Sequence, residues 1–449
     1  MKYSVNSYSY HYRTLLSLGI PIVIGQVGTI VLGFADTLMV GHHSVTELAA
    51  ASFVNTIMSI ILVLALGFSY GLTPMVGQLF GRGENEKIGE VVKNGLAAAT
   101  ITAAILLSVL IIVYLNVHNM GQPEELLPLV RPYLLVNMIS VPFVCWFNSL
   151  KQFFDAIGHT KTSMYILVGG NVVNILGNYL LIYGPGIFPE LGLLGAGLST
   201  MLSRMLMCAV ALSIFFFVGK YDVFGKSFLT SRINTQMLNK VIKQSWPVSL
   251  QMGMESAEFA LTGIMVGWLG TTALAAHQVM ITVSQVFFMV YYGIAAAVSV
   301  RVSYYVGQGE LIQLKKVAAA GFHIIFVIGC IVCVPVFLLR GEIGFAFAND
   351  ATIASICSQV TIIMLIYQFG DGLQSNYANA LRGTGHVRPM VFIAFVSYIV
   401  VSLPVSYLLG IRLGYGIMGI WAAFPIGLTI AGTLYYIYFR RRLAWLSRK

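Results

Sequence analysis

The stretches "MVGHHSVTELAAA" (residues 39–51) and "MVGWLGTTALAAH" (residues 265–277) are two copies of one pattern, separated by 226 residues. The short motifs "GRGE" (81–84) and "GQGE" (307–310) repeat at the same offset. Later pairs are "IGHTK" (157–161) with "TGHVR" (384–388) at 227, and "GLLGA" (192–196) with "GIMGI" (416–420) at 224. Because the offset hardly drifts, the pattern indicates that half of the chain has been duplicated.

The sequence around these repeats is strongly apolar. Of 449 residues, 58% are hydrophobic and 9% charged, whereas a soluble domain carries about 25% charged residues. Twelve segments are long and apolar enough to cross a bilayer: 14–40, 46–80, 89–115, 127–148, 160–183, 190–218, 241–268, 272–305, 317–339, 351–381, 389–410 and 416–439. All are predicted to be helices, because lipid cannot satisfy an open sheet edge. The alternation typical of a membrane barrel is absent from the sequence.

The basic residues predict how the chain is oriented. Among 26 Lys and Arg, most fall in the termini and in alternate loops. The opposite loops contain only Arg131, Arg340 and Arg412, and two more arginines lie within spans. The positive-inside rule therefore places both termini and the middle segment 219–240 in the cytoplasm. The net charge of +10 thus reflects orientation, and we expect no nucleic-acid partner.

The repeats also predict the domain organisation. Each copy contains six spans, and equivalent loops face the same side, so an axis along the membrane normal should relate the halves. We expect lobes at 1–218 and 241–449, joined by a cytoplasmic linker at 219–240. Parallel repeats of this kind suit alternating access, with the substrate bound between the halves.

Four of the 16 acidic residues lie within predicted spans and away from their ends: Asp36, Glu255, Glu258 and Asp371. Each costs about 2.5–3.5 kcal/mol at the bilayer centre on insertion scales, so such acids are by default functional candidates. The alternative is a structural hydrogen bond or ion pair, for which Arg204 and Arg301 are the bases within spans. Glu258 follows Glu255 by one turn, and either assists it or bonds a neighbouring helix.

Distances along the helices place these acids at different depths. Glu255 lies roughly 18 Å beyond Lys243, and Asp371 roughly 16 Å before Arg382, at ~1.5 Å per residue. Both should therefore lie near the midplane and face one cavity, whereas Asp36 lies towards the outer face. None of the three has an acidic partner in the other repeat, which predicts different tasks for the two lobes.

A second polar group lies in the first half, where Asn171, Asn174 and Asn178 share a helix face and Thr200 lies on the next span. Amide and hydroxyl oxygens near a carboxylate suit a small hard cation. The same residues also act as hydrogen-bonding contacts between membrane helices. Their spacing leaves both interpretations open.

Two short stretches resemble enzyme motifs, but each lacks a feature that the enzyme requires. "GFSYG" (67–71) matches a nucleophile elbow, which needs a strand–turn–helix context, but lies within an apolar helix. "GKS" (225–227) lacks the first glycine of a P-loop, since Lys220 takes its place. We therefore expect no enzyme and no cofactor, and transport energy from an ion gradient. A membrane hydrolase built on Ser69 is the competing hypothesis from another class. A channel is disfavoured, because the midplane acids do not form a ring.

The motifs together resemble a known family. They are "GFADTLMVG" (33–41), "LAA" (48–50), "GQLFGRGE" (77–84), Glu255, "LAAHQ" (274–278), "YVGQGE" (305–310) and "GDGLQSNYANALRGTGH" (370–386). With them, the chain resembles the multidrug and toxic compound extrusion (MATE) family, of the bacterial NorM type, over nearly its whole length.

The resemblance implies a fold and an activity. The fold is two six-helix lobes that form a V around a central cavity. The activity is antiport, in which Na+ or H+ enters while cationic or amphipathic drugs leave, performed by a monomer. The runner-up is an exporter of a lipid-linked or metabolite substrate on the same scaffold.

The resemblance also implies site residues. The cation-associated positions are Glu255, Tyr367 and Asp371 in the C-terminal lobe, and Asp36, Asn174, Asn178 and Thr200 in the N-terminal lobe. Some relatives carry an aspartate where Asn178 stands, so one negative charge is missing here. Glu258, Gln278 and Asp350 are further expected to line the substrate cavity.

Overall fold

The computed structural model describes residues 7–121, 123–347 and 350–448, and within them the chain is helical without a strand. Apart from short 3-10 turns, the helices are α1 Tyr8–His43, α2 Val45–Gly81, α3 Asn85–Asn116, α4 Leu127–Ala156, α5 Thr160–Tyr183, α6 Gly192–Phe217, α7 Asp222–Thr230, α8 Thr235–Gly267, α9 Thr271–Gln308, α10 Leu311–Leu338, α11 Arg340–Phe347, α12 Ala351–Gly383, α13 Arg388–Arg412 and α14 Gly416–Leu446. A turn at Tyr70 interrupts α2, and α13 contains π-helical stretches.

Each predicted span coincides with one long helix, and this confirms the all-helical membrane fold. Eleven of these helices are long and apolar enough to cross a membrane. The exception is α8, which has 33 residues and is therefore long enough at ~1.5 Å per residue. Its middle is too polar, since it contains Gln251, Glu255 and Glu258. The helix that carries the two acids is thus the least lipid-like of the twelve.

The packing divides the chain into two compact units. One unit comprises Ile24–Ser249, and the other combines the residues up to Val23 with those from Leu250 onward. The two junctions are 226 residues apart, which is the offset of the sequence repeat. Each lies inside a helix, two residues after Pro21 in α1 and after Pro247 in α8. The predicted lobes 1–218 and 241–449 follow the chain, whereas packing assigns the first part of α1 to the C-terminal half.

Much of the segment 219–240 is structured. Its helix α7 lies so close to α3 that a Cβ atom on Gly89 would be 2.4 Å from the carbonyl oxygen of Phe224. The ammonium of Lys93 donates to the carbonyls of Phe228 (3.1 Å) and Ser231 (2.7 Å) at the end of α7. A cation at a helix C-terminus satisfies carbonyls that lack a partner within the helix. These contacts fix the linker helix to the N-terminal unit.

The duplication is visible in two equivalent histidines, His159 after α4 and His386 after α12. Burial lowers the pKa of both imidazoles from its usual value, and nearby Arg442 lowers that of His386 further. The Nδ1 atom of His159 lies 3.1 Å from the hydroxyl of Tyr221. Both halves therefore place a partly buried histidine at the same turn.

Candidate functional site

The first polar cluster lies in the unit Ile24–Ser249 and consists of Asp36, Asn174, Asn178 and Thr200. The side-chain amide of Asn178 donates to Asp36 Oδ1. With its amide rotated, Asn174 donates to the same oxygen at 3.1 Å and accepts from Thr200 Oγ1 at 3.1 Å and from Thr200 N at 3.2 Å. The structure thus brings together all four residues that were predicted for this lobe.

The helices explain why these side chains converge. Asn174 and Asn178 are four residues apart on α5 and therefore share a face. Helix α6 approaches that face closely, since a Cβ atom on Gly195 would lie 2.2 Å from the carbonyl oxygen of Leu181. Small residues permit such close crossings in membranes. The crossing places Thr200 beside Asn174.

No ion pair within the described residues neutralises the carboxylate of this cluster, Asp36. Arg204 is near enough to Asp36 to interact electrostatically, but its guanidinium donates to Ser140 Oγ at 2.7 Å. Among the described residues, Asp36 has no basic partner within 4.0 Å. The buried Oδ1 of Asn178 also has no hydrogen-bond partner there. A carboxylate beside a free amide oxygen is a suitable environment for a hard cation.

The second polar cluster lies in the other unit and is built around Glu255 on α8 and Asp371 on α12. Gln251 Nε2 donates to Glu255 Oε2 at 2.8 Å, and Gln374 Nε2 lies 3.4 Å from the same oxygen. Ser375 Oγ is 3.3 Å from Asp371 Oδ1. The two carboxylates make no direct hydrogen bond, but neighbouring residues of α12 donate to each of them.

A buried arginine completes this second cluster. Arg382 is 3% exposed, and its guanidinium lies 3.5 Å from Gln251 Oε1 and donates to Asn379 Oδ1 at 3.1 Å. The sequence predicted that Arg382 lies in the loop just after its span. In the structure it lies in the last turn of α12 and is buried. Its positive charge instead interacts with Glu255.

The other residues predicted for this lobe occupy different places. Tyr367 lies one turn before Asp371 and is buried, with its hydroxyl bonded to Ser284. Glu258 is fully buried. Gln278 is exposed.

Asp350 is also exposed, and its carboxylate caps α12 by accepting from the backbone N–H groups of Thr352 (2.7 Å) and Ile353 (3.2 Å). The cap holds the pKa of Asp350 below its usual value. Asp350 precedes Asp371 by 21 residues, roughly 30 Å along a helix. A structural role accounts for it.

Ser69 has an ordinary helical environment. It is buried at the end of a helical stretch of α2, and its hydroxyl donates to the carbonyl of Ala65 at 3.0 Å. A bond to the residue four positions earlier is common for serine in membrane helices. This environment supports helix packing rather than a nucleophile elbow.

Several functional candidates were missed by the sequence analysis. Gln251, Gln374 and Ser375 precede or follow the acids by three or four residues, so helical spacing from each acid was an available signal. Tyr398, whose hydroxyl accepts from Gln374 Nε2 at 2.8 Å, comes from α13 and had no such signal. Only packing shows that α13 contacts the cluster.

A profile of the MatE family matches residues 21–180 and 247–408. The chain belongs to the MatE family. The two matched segments begin 226 residues apart, and this confirms the duplication that the sequence motifs predicted. As a MatE protein the chain is a multi-pass membrane transporter.

Individual relatives agree with the MatE assignment. The chain is 28% identical over 454 aligned residues, covering 99% of its own length and 97% of the relative's, to a "Multidrug resistance protein NorM" of Photobacterium profundum. It shares its fold with an outward-facing multidrug resistance MATE transporter, at TM-score 0.88, 19% identity and coverage of 98% and 97%. It also matches a transporter from Pyrococcus furiosus whose reported pocket polarity suggests a different function, at TM-score 0.86, 19% identity and the same coverage.

Proposed function

We propose that the chain exports cationic or amphipathic small molecules and takes up sodium ions or protons in exchange. The observation that carries this proposal is a pair of carboxylates in one unit of a membrane transporter, the half-buried Glu255 and the buried Asp371. Neither has an ion-pair partner within 4.0 Å among the described residues. Two such groups in a medium of low dielectric repel each other. A bound cation relieves this repulsion, so the site is suited to couple an ion to a conformational change.

The exchange follows from linkage between the two ligands. Cation binding favours one arrangement of the lobes only as far as its affinity differs between the arrangements. The drug must then weaken cation binding by the same factor by which the cation weakens drug binding, typically about 5–150-fold. Alternating access between the lobes 1–218 and 241–449 converts this competition into export. A positively charged drug is the natural counterpart, since both ligands neutralise the same acids.

The proposal includes the membrane and the direction of transport. Its support is the excess of basic residues in alternate loops and in both termini, which favours a cytoplasmic location for those segments. We place the chain as a monomer in a bacterial inner membrane, with 219–240 inside. The positions Lys2 and Lys449, which add to this excess, lie outside the described residues.

The test uses Glu255→Gln and Asp371→Asn in proteoliposomes. Each variant should lose the effect of sodium or pH on drug affinity, and the double variant should be no worse than the singles, because the residues share one site. Fluorescent-dye efflux is measured with one imposed gradient at a time. The control is Glu342→Gln, the same change at an exposed position, which should behave as wild type.

Two outcomes would contradict the proposal. One is a wild-type drug affinity that responds neither to sodium nor to pH. The other is a wild-type response in both variants. If no cationic dye is exported under any gradient, a lipid-linked or metabolite substrate is favoured instead.

A further inference from the structure

Glu258 differs from Glu255 although it lies only one turn further along α8. Its side chain is 0% exposed, and neither carboxylate oxygen has a hydrogen-bond partner among the described residues. The hydroxyl of Ser402 on α13 is near this carboxyl but outside hydrogen-bond geometry, and it has no partner among the described residues. No contact within hydrogen-bond distance joins Glu258 to Glu255, so Glu258 lies outside the network of the second cluster.

The backbone of α13 has a special form where it faces this region. Residues Phe395–Ser402 form a π-helix, in which each N–H bonds the carbonyl five residues earlier. Ser402 therefore lies one turn above Ser397. In an α-helix a spacing of five residues would place the two side chains about 140° apart. The π-helix thus brings two hydroxyls to one side.

Both hydroxyls remain available. Ser397 and Ser402 are 0% exposed, and neither Oγ atom has a partner among the described residues. They face α14, since a Cβ atom on Gly427 would lie 2.7 Å from Ser402 Cβ and 3.3 Å from the Ser397 carbonyl oxygen. On α8, Thr262 is buried and unpartnered one turn after Glu258. Buried polar atoms usually have partners, so this concentration requires an explanation.

The surrounding charges oppose an ionised Glu258. An isolated carboxylate is very costly in an apolar interior, and Glu255 and Asp371 add like charge nearby. The one basic side chain of the second cluster, Arg382, is engaged by Gln251 and Asn379. Further titratable groups on adjoining elements are Tyr367 on α12, Tyr398 on α13, Tyr435 on α14 and His277 on α9, whose Nδ1 accepts from Trp421. None of them supplies a positive charge to this carboxyl.

We propose that Glu258 is a proton-binding site separate from the cluster of Glu255 and Asp371. In this conformation its carboxyl carries the proton and is neutral. The Ser402 hydroxyl of the π-helical turn provides an oxygen that can accept from the carboxyl O–H. The C-terminal unit then holds two cation sites, one open to an ion at Glu255 and Asp371 and one reserved for a proton. Its part in transport rests on the proposed antiport, but its protonation does not.

Infrared spectroscopy of the purified full-length chain tests the protonation directly. The wild type should show a protonated-carboxyl C=O band at neutral pH that Glu258→Gln abolishes and the exposed control Glu342→Gln leaves in place. Ser402→Ala should keep the band and shift its frequency, because it alters the hydrogen bonding of the carboxyl. If Glu258→Gln does not fold, the frequency shift in Ser402→Ala still tests whether a protonated Glu258 is present. If the difference between the wild-type and Glu258→Gln spectra lacks this band at both neutral and acidic pH, the proposal is wrong.

Two further arms separate this site from the proposed function. Sodium binding, measured with a radioactive tracer, should persist in Glu258→Gln, and its loss would assign Glu258 to the sodium-binding cluster and refute a dedicated proton site. In efflux assays the same variant should lose the response to an imposed pH gradient. If the wild type exports nothing under either gradient, the proposed function fails while the infrared result stands.

Discussion

Asn178 donates its amide to Asp36 at the position where some members of the family carry an aspartate. Replacement by aspartate, Asn178→Asp, removes this donor and sets a second carboxylate against the first. Such a pair holds a proton more strongly than either acid alone. We expect the acid limb of the pH–efflux profile to move towards alkaline pH by about one unit or more. The profile is measured from dye efflux at equal expression.

The matched control for this change is Asn171→Asp. Asn171 lies on the same face of α5 and is buried, but it makes no bond to Asp36 among the described contacts. Its variant adds the same charge without forming the pair. Superimposable profiles for wild type and Asn178→Asp would rule out proton or cation binding at Asp36.

Single residues show where prediction from sequence succeeds. An acid inside an apolar run is conspicuous because its insertion is costly, so Asp36, Glu255 and Asp371 were found. The neutral donors to Glu255 and Asp371 cost little to insert and were not found, whereas the asparagines that donate to Asp36 were noticed by their helical spacing. The buried ion pair of Lys151 and Asp155, 2.7 Å apart, lies beyond the predicted span 127–148, because charges near a helix end resemble ordinary loop charges.

At the scale of elements, the contact between α7 and α3 is the clearest test. Gly89→Ala would place a methyl group 2.4 Å from both the carbonyl of Phe224 and the N–H of Phe228. Both are backbone atoms of α7, so the helix has to move as a whole. Overpacking of this kind costs about 1–3 kcal/mol. We expect a lower midpoint of thermal unfolding in detergent.

Gly169→Ala is the control, since a Cβ atom there meets nothing within 4 Å. It should leave the midpoint unchanged or raise it, because alanine is favoured over glycine inside helices by about 1 kcal/mol. Equal midpoints for the two variants would show that α7 is not fixed at Gly89.

The position of each membrane helix was predictable from the sequence, whereas its α-helical or π-helical form was not. Long apolar runs determine a membrane helix through the loss of water, so all twelve were located. The π-helical turns of α13 leave no mark in the sequence, since Phe395–Ser402 is as apolar as any α-helical span. Only the packing of neighbouring helices distinguishes a spacing of five residues from one of four.

For the whole molecule, the testable prediction is the orientation. In a chain without its native cysteines, Ile187→Cys should react with an impermeant thiol reagent added outside cells, and Arg232→Cys should not. Both positions are exposed, so access to either depends on the side of the membrane. Arg232→Cys should react once the cells are made permeable, which serves as the control. The reverse pattern would overturn the topology.

The duplication was the part of the architecture most readable from sequence, because the repeated motifs keep one offset. The division into units was not. Its junctions after Val23 and Ser249 cut through continuous helices, where the chain shows no break in hydrophobicity. By chain order, the first turns of α1 belong to the N-terminal half and those of α8 to the C-terminal half. Packing assigns each of them to the opposite half.

The polarity of α8 has a consequence for biogenesis. A helix with two carboxylates in its middle leaves the translocon slowly, and the helices that pack against those acids are not yet made when it emerges. Arg382, the cation beside Glu255, is synthesised 127 residues later, roughly 6–25 s at a translation rate of about 5–20 residues per second. We expect α8 to wait at the protein-conducting channel during this interval, with α9 as its first companion. The order of synthesis thus predicts that α8 settles in lipid only after α12 has been made.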